Sequence, residues 1–488
     1  MLTGVNLLLR LVSTGFQVYL SGRIGAAGIG LLQLVMSVGS LAMTAGMAGI
    51  RTATMYLTAE ELGRKRPGNV FWVLSGCLLY SIGCSGAVAV VLRLFAPFLA
   101  QHWIGDIRTM DAIRLFSCFV PVSCLCGVMV GYFTAANRIG TLAVVEITEQ
   151  LFSMVVTMSV LTLWAGSDPA RACQSVILGS GFSSCLTLTC LVLLRIREAV
   201  KPSDRIPVRS RLMQTAVPLA LADDLKAGIS TAENLMVPKR LALFPGAQNP
   251  LAAFGMVCGM VFPILMFPAA ILFGLAELLI PELARCAAAG SRQRIRYLVK
   301  RSLRVALLYG CLFCGLEFLL AQELCLTLYK SSEAGTYLRL YSLLIPMLYC
   351  DAITDAMTKG LGQQKACVRY NIITSSMDVV LLFLLLPRYG MMGYFFSFLV
   401  THLLNFILSL RRLLKIVGNV ISPRVPVMAA LGTACSVFIA SHVHPPALRA
   451  FSLLIILGCI LFLLRVVGKE DVAWIKGLIA KKNRGSTS

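Results

Sequence analysis

The chain has 488 residues, of which 58% are hydrophobic and 14% charged, and its mean hydropathy is +0.82. Soluble domains are about 45–50% apolar and about 25% charged, so this composition excludes an ordinary soluble protein. It also excludes a disordered protein, because so apolar a chain must bury its surface or dissolve it in lipid. The 44 Lys and Arg residues against 22 Asp and Glu give a net charge of +22, which in a soluble protein would suggest nucleic-acid binding.

Taken in chain order, apolar segments of helical length alternate with polar or Gly- and Pro-containing joints, and each segment is long enough to cross a bilayer. These segments lie near residues 3–22, 29–57, 70–92, 111–134, 141–164, 172–194, 213–236, 251–280, 303–321, 338–358, 368–386, 391–410, 425–441 and 450–467. The predicted fold is therefore an all-α integral membrane protein of about fourteen transmembrane helices.

The basic residues are distributed unevenly over the joints. Alternate joints and the C-terminal tail hold 30 Lys and Arg residues, whereas the opposite joints hold 9. The positive-inside rule then predicts that the basic side and both termini are cytoplasmic. Topology thus explains the net charge, and no nucleic-acid partner is predicted. No basic region precedes the first apolar segment, so no cleavable signal peptide is predicted.

An internal repeat divides the predicted helices. The segment Arg114–Pro121 resembles Arg339–Pro346 at its Arg, Leu, aromatic, Ser and Pro positions, with chance similarity of two apolar helices as the alternative. Because six helices separate the copies, we predict two parallel six-helix repeats around a central cavity, plus two C-terminal helices. The predicted boundaries are 1–197 (N-lobe), 198–212 (cytoplasmic linker), 213–415 (C-lobe), 416–468 (helices 13 and 14) and 469–488 (basic cytoplasmic tail).

Polar residues form stripes on four of the predicted helices. They are Thr3, Asn6, Arg10, Ser13, Thr14, Gln17 and Ser21 in helix 1, Asp223, Lys226, Ser230, Glu233 and Asn234 in helix 7, Asp351, Thr354, Asp355, Thr358 and Lys359 in helix 10, and Asn371, Ser375 and Asp378 in helix 11. An ionisable group at mid-bilayer costs about 2.5–3.5 kcal/mol, so we expect these stripes to line a hydrated cavity. The alternative is dry packing, with Asp223–Lys226 and Asp355–Lys359 as ion pairs within their helices.

The two lobes carry charges of opposite sign. Arg10 and Arg51 lie in the first lobe, and guanidinium groups suit phosphate. The acids of the second lobe suit a cation or a proton. This asymmetry favours a transported anion with a phosphate group, driven by an ion gradient. We also expect bending points at Pro218, Pro263, Pro268 and Pro346, and close helix contacts at the glycine pairs Gly127/Gly131 and Gly255/Gly259.

Several short motifs, taken together, are similar to the motifs of a known protein family. Ile24–Gln33 and Gly49–Glu60 are similar to I-G-A-x-G-I-G-L-Y-Q and G-I-P-x-A-x-S-K-x-V-A-E, and shorter matches occur at Gly131–Phe133, Glu149–Gln150 and Val237–Leu241. On these residues the chain resembles the multidrug/oligosaccharidyl-lipid/polysaccharide (MOP) exporter superfamily. The resemblance is closest to oligosaccharide flippases of the stage V sporulation protein B type, to which lipid II flippases are related.

The resemblance implies an ion-coupled flippase of a lipid-linked oligosaccharide or peptidoglycan precursor. It matches Arg10 to a helix-1 arginine that lipid II flippases need, and it suggests a groove for the lipid tail at helices 13 and 14. The predicted head-group residues are Arg10, Arg51, Asn6 and Gln17. The predicted ion- or proton-coupling residues are Glu233, Asp378, Asn371 and Thr401, which the resemblance matches to a sodium site, together with Asp223.

The chain also departs from the family pattern. Arg51 stands in place of Pro, Tyr56 in place of Lys, and Val130 and Ser153 in place of two arginines. If those family cations contact the pyrophosphate, this chain binds it differently or carries another substrate. Arg51 is then the candidate replacement.

No catalytic residue, metal site or cofactor is predicted, and Na⁺ or H⁺ is the candidate coupling ion. The Cys311-Leu-Phe-Cys314 pair lies in an apolar helix, and the four histidines show no ligand spacing. We expect a monomer in the bacterial inner membrane, with membrane lipids and a polyprenyl-pyrophosphate-linked saccharide as partners. A cation-coupled drug or metabolite exporter of the same superfamily is the alternative. A membrane glycosyltransferase is disfavoured, because the outer joints are too short to hold a catalytic domain. A scaffold is disfavoured, because a scaffold would not require charged stripes within its helices.

Overall fold

The computed structural model describes residues 2–64, 66, 68–166, 168–197, 208–420 and 422–463, and every regular element in these ranges is a helix. The helices are α1 (Leu2–Met47), α2 (Ile50–Gly63), α3 (Asn69–Phe98), α4 (Met110–Ala135), α5 (Ile139–Val160), α6 (Pro169–Arg197), α7 (Arg209–Leu241), α8 (Pro250–Met256), α9 (Phe262–Leu265), α10 (Ala269–Ala288), α11 (Arg292–Tyr329), α12 (Ser332–Ser342), α13 (Ile345–Gly360), α14 (Gln364–Val417), α15 (Arg424–Ser441) and α16 (Pro446–Leu463). The all-α prediction is confirmed. Most of the predicted linker and the whole predicted tail lie outside the described residues.

Within the described ranges, nine helical segments are long and apolar enough to cross a membrane, or ten if one bent pair counts as a single span. The number is lower than the number of predicted segments partly because neighbouring segments are continuous. α1 joins predicted helices 1 and 2, and α14 joins predicted helices 11 and 12. The chain is thus a multi-pass membrane protein, and the count of fourteen crossings stays a prediction.

Residues with positive φ interrupt the long helices. α1 is kinked at Gly25 (φ 69°), and α14 is kinked at Gly390 (φ 57°). A further break at Ala48 and Gly49 divides the predicted helix over 29–57, so that part of the prediction is wrong. A Cβ at Gly49 would lie 2.5 Å from the carbonyl oxygen of Ala216 in α7. Glycine at 49 therefore permits both the positive φ and the close approach of α7.

Prolines account for other bends. The predicted helix over 251–280 consists of α8, a π-helical turn at Val257–Val261, α9 and α10. It bends by 65° between Leu265 and Ala269, where Pro268 lies, which confirms a bending point there. Pro346 lies in the first turn of α13, directly after the break that separates α13 from α12. Pro218, in contrast, lies inside the unbroken α7.

One proline leaves a backbone acceptor that another helix satisfies. Pro387 in α14 has no N–H, so the carbonyl of Phe383, four residues earlier, lacks its usual donor. The guanidinium of Arg240, at the end of α7, donates to this oxygen through Nη2 at 3.0 Å and lies 3.4 Å from the Phe383 ring centroid. One long cationic side chain thus caps the carbonyl and covers the ring beside it.

The helices group into two compact units. Unit 1 contains residues 1–260 and 375–397, and unit 2 contains residues 261–374 and 398–488. The core of unit 1 is formed by α2 to α7, with buried members such as Leu57, Val73 and Phe133. In unit 2, α11 packs against α15 and α16 through residues that include Cys311 and Leu457. The lobe boundaries at 197 and 213 stay a prediction.

Glycine allows helices of unit 1 to touch at their backbones, as the two glycine pairs predicted. A Cβ at Gly255 in α8 would lie 2.1 Å from the carbonyl oxygen of Ala26 in α1. A Cβ at Gly131 in α4 would lie 2.5 Å from the carbonyl oxygen of Arg51 in α2. Both distances exclude any larger side chain without movement of a helix.

Candidate functional site

The polar face of α1 contacts two other helices of unit 1. Nε2 of Gln150 in α5 donates to the Ser13 hydroxyl, and Nε2 of Gln17 donates to the carbonyl oxygen of Gly259 at 3.2 Å. Pro263, four residues later, cannot donate to the Gly259 carbonyl, because proline has no N–H. Gln17, a predicted head-group residue, therefore has a structural partner within the fold.

The two predicted head-group arginines lie on different helices of unit 1. Arg10 is half-buried in α1, and Arg51 is exposed in the first turn of α2. Among the described residues, nothing forms a hydrogen bond or an ion pair with the Arg51 side chain. Arg51 is thus a cation available to an anion from outside the fold. The side chain of Asn6 lies outside the described residues.

The polar face of α7 packs against the second half of α1. Oγ1 of Thr231 donates to the carbonyl oxygen of Ser37 at 3.1 Å, and Nδ2 of Asn234 donates to the Ser37 hydroxyl at 3.0 Å. These bonds satisfy two of the polar groups on α7. They leave Glu233, which lies between them in sequence, as the acid on this part of the helix.

The structure brings Glu233 and Asp378 together in unit 1. The two carboxyl groups are close enough for the charge of Asp378 to act on Glu233. Oε1 of Glu233 is buried and accepts no hydrogen bond from the described residues. Oδ1 of Asp378 accepts one from the Ser397 hydroxyl at 2.5 Å. Two neighbouring acids with an unfilled acceptor form a site where a cation or a proton would be stabilised.

The remaining predicted coupling residues lie elsewhere. Asn371 is half-buried and Thr401 is 5% exposed, and both belong to the part of α14 counted with unit 2. Oγ1 of Thr401 donates to the carbonyl oxygen of Phe398 at 3.3 Å. Asp223 is exposed on α7, and no ion pair joins it to Lys226 among the described side chains.

The acidic stripe on α13 is largely paired within unit 2. Nδ2 of Asn405 donates to both carboxylate oxygens of Asp351 at 3.1 Å. Nζ of Lys359 lies 2.6 Å from Oδ2 of Asp355, so the ion pair expected from their spacing is confirmed. Dry packing with internal pairs therefore describes this stripe better than a hydrated cavity does.

Sequence patterns missed a charge network that ties α2, α3 and α7 together. Arg211 contacts Oε1 of Glu61 through Nη1 at 2.8 Å and Oε2 of Glu60 through Nη2 at 2.6 Å. Nδ2 of Asn69 donates to the other oxygen of Glu61 at 2.8 Å, and Arg64 pairs with Glu60 at 2.6 Å. The adjacent acids at 60 and 61 were a visible signal, but their partner lies 150 residues away.

An apolar groove, here called the α11 groove, follows α11 between α13 and α15 in unit 2. Two cavities of about 270 and 710 Å³ share Leu307, Pro346 and Pro426 and therefore run into each other. Lys300 and Arg304 lie at one end of the groove, and Arg339 lies at the other. Cys311 and Cys314 line the wall between these ends as small side chains.

Glu317 in α11 was not among the predicted site residues. It is the only acidic residue of the apolar segment 303–321, and it is 4% exposed. The signal that identifies it is a single carboxyl group in a helix otherwise suited to lipid.

Comparisons with known proteins agree on one group. Residues 241–384 match the family model described as MatE. Stage V sporulation protein B of Bacillus subtilis (strain 168) is 23% identical over 412 residues, which cover 80% of this chain and 78% of that protein.

Solved structures share the fold. A multidrug resistance MATE family transporter of the MOP superfamily, in an inward-facing conformation, matches with a TM-score of 0.69 and 13% identity over 85% of this chain and 95% of its own. The lipid II flippase MurJ, in an inward closed conformation, matches with a TM-score of 0.69 and 12% identity over 97% of this chain and 99% of its own. The two solved structures are of a transporter and a flippase rather than of enzymes, and the resemblance of this chain to the MOP exporter superfamily is confirmed.

Proposed function

We propose that this protein flips a lipid-linked oligosaccharide or peptidoglycan precursor across the bacterial cytoplasmic membrane by ion-coupled alternating access. The α11 groove is the observation that carries the proposal. Its wall on α11 is apolar over about three turns, from Leu307 to Phe318, and cationic side chains stand at both ends. A polyprenyl chain would fill such a groove, and its phosphate would meet a cation at either membrane surface.

The charges of unit 1 supply the other half of the proposal. Arg10 and Arg51 would hold the anionic head group, with Asn6 and Gln17 nearby in sequence on α1. Glu233 and Asp378 would bind the coupling ion, Na⁺ or H⁺. A bound cation, or a proton on either carboxylate, would relieve the repulsion between their negative charges. Asn371, Thr401 and Asp223 are proposed as further coupling residues.

The share of the chain that each solved structure matches favours a flippase. The lipid II flippase covers 97% of this chain, whereas the multidrug transporter covers 85%. The fold shared with the flippase therefore includes almost all of the chain. We propose a location in the inner membrane with both termini in the cytoplasm, in agreement with the distribution of basic residues.

A flipping assay in liposomes with a labelled undecaprenyl-linked saccharide tests the role of the groove. Ala430 and Ala434 line the groove from α15 and are exposed, so Ala430→Trp and Ala434→Trp would fill it. We expect the flipping rate to fall at least about tenfold, equivalent to about 1.4 kcal/mol in the barrier. Cys435→Trp is the matched control, because Cys435 is exposed on the same helix and does not line the groove. Equal rates for all three variants would refute the groove as the tail site.

The same assay tests the head-group residues. Arg10→Ala and Arg51→Ala should each slow flipping of the pyrophosphate-linked substrate, since each removes a guanidinium partner for phosphate. Wild-type rates for both variants would exclude these arginines from the head-group site without affecting the test of the groove.

A cation-coupled exporter of drugs or metabolites is the second candidate. The match of residues 241–384 to the MatE model and the fold shared with a multidrug transporter favour it. It predicts that cationic dyes are transported and compete at the acids of unit 1, and that Arg10→Ala transports them at the wild-type rate. If the protein is a flippase, cationic dyes should be neither transported nor competitive, and Arg10→Ala should slow transport of the lipid-linked substrate.

A further inference from the structure

Glu317 is a buried acid that the proposed mechanism does not use. It lies within α11 and is 4% exposed. Both carboxyl oxygens are buried, and neither has a hydrogen-bond partner in the described part of the chain. Most buried carboxyl groups are paired, so a complete absence of partners in this region requires an explanation.

The carboxyl group faces the interior of unit 2 rather than lipid. Gly310 lies seven residues before Glu317, hence on the same side of α11. A Cβ at Gly310 would lie 2.7 Å from the Cα of Pro346, so this side packs closely against α13. The opposite side contains Gly315, where a Cβ would lie 3.2 Å from a methyl group of Leu453 in α16.

α12 closes the site from the side. The guanidinium of Arg339 lies 4.5 Å from the ring centroid of Phe318, and Nε2 of Gln322 donates to the Thr336 hydroxyl at 3.2 Å. Phe318 directly follows Glu317, and Gln322 lies about one turn further along α11. The two contacts hold α12 alongside α11 next to Glu317, which is 4% exposed.

Charged groups on the surrounding helices do not neutralise Glu317. The titratable and charged side chains on the helices packed against α11 are Glu277, Glu282, Arg285 and Cys286 on α10, Glu333, Tyr337, Arg339 and Tyr341 on α12, Tyr349, Cys350, Asp351, Asp355 and Lys359 on α13, Arg424 and Cys435 on α15, and Arg449 and Cys459 on α16. None of these side chains forms a hydrogen bond or an ion pair with Glu317 in the described part of the chain. On α11 itself, the thiols of Cys314 and Cys325 are near enough to be affected by a charge on Glu317.

An ionised carboxylate in this position would cost several kcal/mol. The neutral acid avoids most of that cost, so Glu317 must carry a proton while α12 and α13 cover it. An apolar residue of similar size would fill the same space without any such cost. A titratable group here is therefore useful only if the proton is exchanged when the site opens.

We propose that Glu317 is a proton-binding site of unit 2. The carboxyl group holds its proton while α12 and α13 cover α11, and it transfers the proton to water when these helices separate and water enters. The acid then becomes a hydrated carboxylate, and water becomes hydronium. The coupling of this exchange to transport rests on the proposed function, whereas the bound proton does not.

Infrared difference spectroscopy of the purified full-length protein tests the bound proton directly. We expect Glu317→Gln to remove a carbonyl stretching band of a protonated carboxylic acid from the wild-type spectrum at neutral pH. Glu323→Gln is the matched control on α11, because Glu323 accepts a hydrogen bond from Arg449 at 2.8 Å and should lose carboxylate bands instead. Loss of carboxylate bands in Glu317→Gln would overturn the proposal. Glu317→Asp, which keeps the acid, provides a second test should the glutamine variant fail to fold, and it should retain a protonated-acid band.

Transport measurements test the coupling. In liposomes with an imposed proton gradient, we expect the gradient-driven transport rate of Glu317→Gln to be at least about tenfold lower than that of the wild type. A wild-type response to the gradient in this variant would overturn the coupling role. If wild-type protein moves no lipid-linked substrate, the proposed flippase function fails, while the infrared result still decides whether Glu317 binds a proton.

Discussion

Glu61 in unit 1 and Glu317 in unit 2 are buried to nearly the same degree, at 1% and 4% exposure. Glu61 receives hydrogen bonds from Arg211 and Asn69, one on each carboxylate oxygen. Glu317 receives none from the described residues. Two acids of the same type, both shielded from direct contact with solvent, thus differ in their hydrogen-bond partners.

The difference separates a structural acid from a titrating one. A guanidinium and an amide replace the water that Glu61 loses on burial, so its ionised form is retained and helps to join α2, α3 and α7. Glu317 has no such replacement, and the neutral form is the stable one. Burial alone therefore does not identify a functional acid, whereas burial without partners does.

Removing the partner of Glu61 should have the largest effect. Arg211→Met leaves Glu61 buried with only the amide of Asn69 as a hydrogen-bond partner among the described residues, and we expect the unfolding free energy to fall by about 3 kcal/mol. The loss should not exceed this value, because the Arg211 side chain is 33% exposed. The measurement is chemical or thermal unfolding of the purified protein in detergent. Arg64→Met is the control, since Arg64 is 54% exposed and its loss should cost under about 1 kcal/mol. Equal losses in the two variants would contradict the comparison.

Neutralising each acid in turn should have smaller effects on stability, and these effects should differ between the two acids. Glu61→Gln should lower the unfolding free energy by about 1–3 kcal/mol, because charge-assisted hydrogen bonds with Arg211 and Asn69 are weakened. Glu317→Gln should change it by less than about 1 kcal/mol, because glutamine replaces an acid that is already neutral. The same unfolding assay at neutral pH measures both. A marked loss in Glu317→Gln would indicate an ionised, paired Glu317.

The smallest effect is expected at Asp106, a carboxylate outside the membrane-spanning segments. Hydrogen bonds from Arg108 hold the pKa of Asp106 below its usual value. A lowered pKa stabilises the fold above the ordinary aspartate pKa of about 3.9, and that contribution disappears as the pH falls through the lowered value. Asp106→Asn should therefore cost about 0.2–1 kcal/mol at neutral pH and progressively less in acid. A cost that does not change with pH would show that the ionised group contributes nothing.

Much of the helical layout was predictable from the sequence, because lipid imposes a strong length and polarity constraint on each crossing. The predicted segment 425–441 and the observed α15, Arg424–Ser441, differ by one residue at one end. The break at Ala48 and Gly49 was not predictable in the same way. It depends on the approach of α7 to Gly49, and that contact joins residues more than 160 positions apart.

The candidate sites were less predictable than the helices. Hydropathy and spacing placed Glu233 and Asp378 among the candidate acids, and the structure brings these two together. The same patterns could not show that Asn405 binds Asp351 or that Arg211 binds Glu61, because hydrogen bonds between distant helices leave no periodic trace. Glu317 was predictable in principle, since one acid in an apolar segment is visible without any structure.

Pro263 and Pro387 have no N–H to donate to the carbonyl group four residues earlier, and this lack affects how the sequence can evolve. Gln17 satisfies one of these carbonyl groups and Arg240 the other. Each donor is needed only while its proline is present, so the two positions of each pair are expected to be epistatic. Loss of Gln17 or Arg240 alone exposes an unsatisfied acceptor, whereas loss of the proline first makes the later loss of the donor nearly neutral. Sequence drift at these helix contacts would therefore follow a preferred order, with the proline changing before its partner.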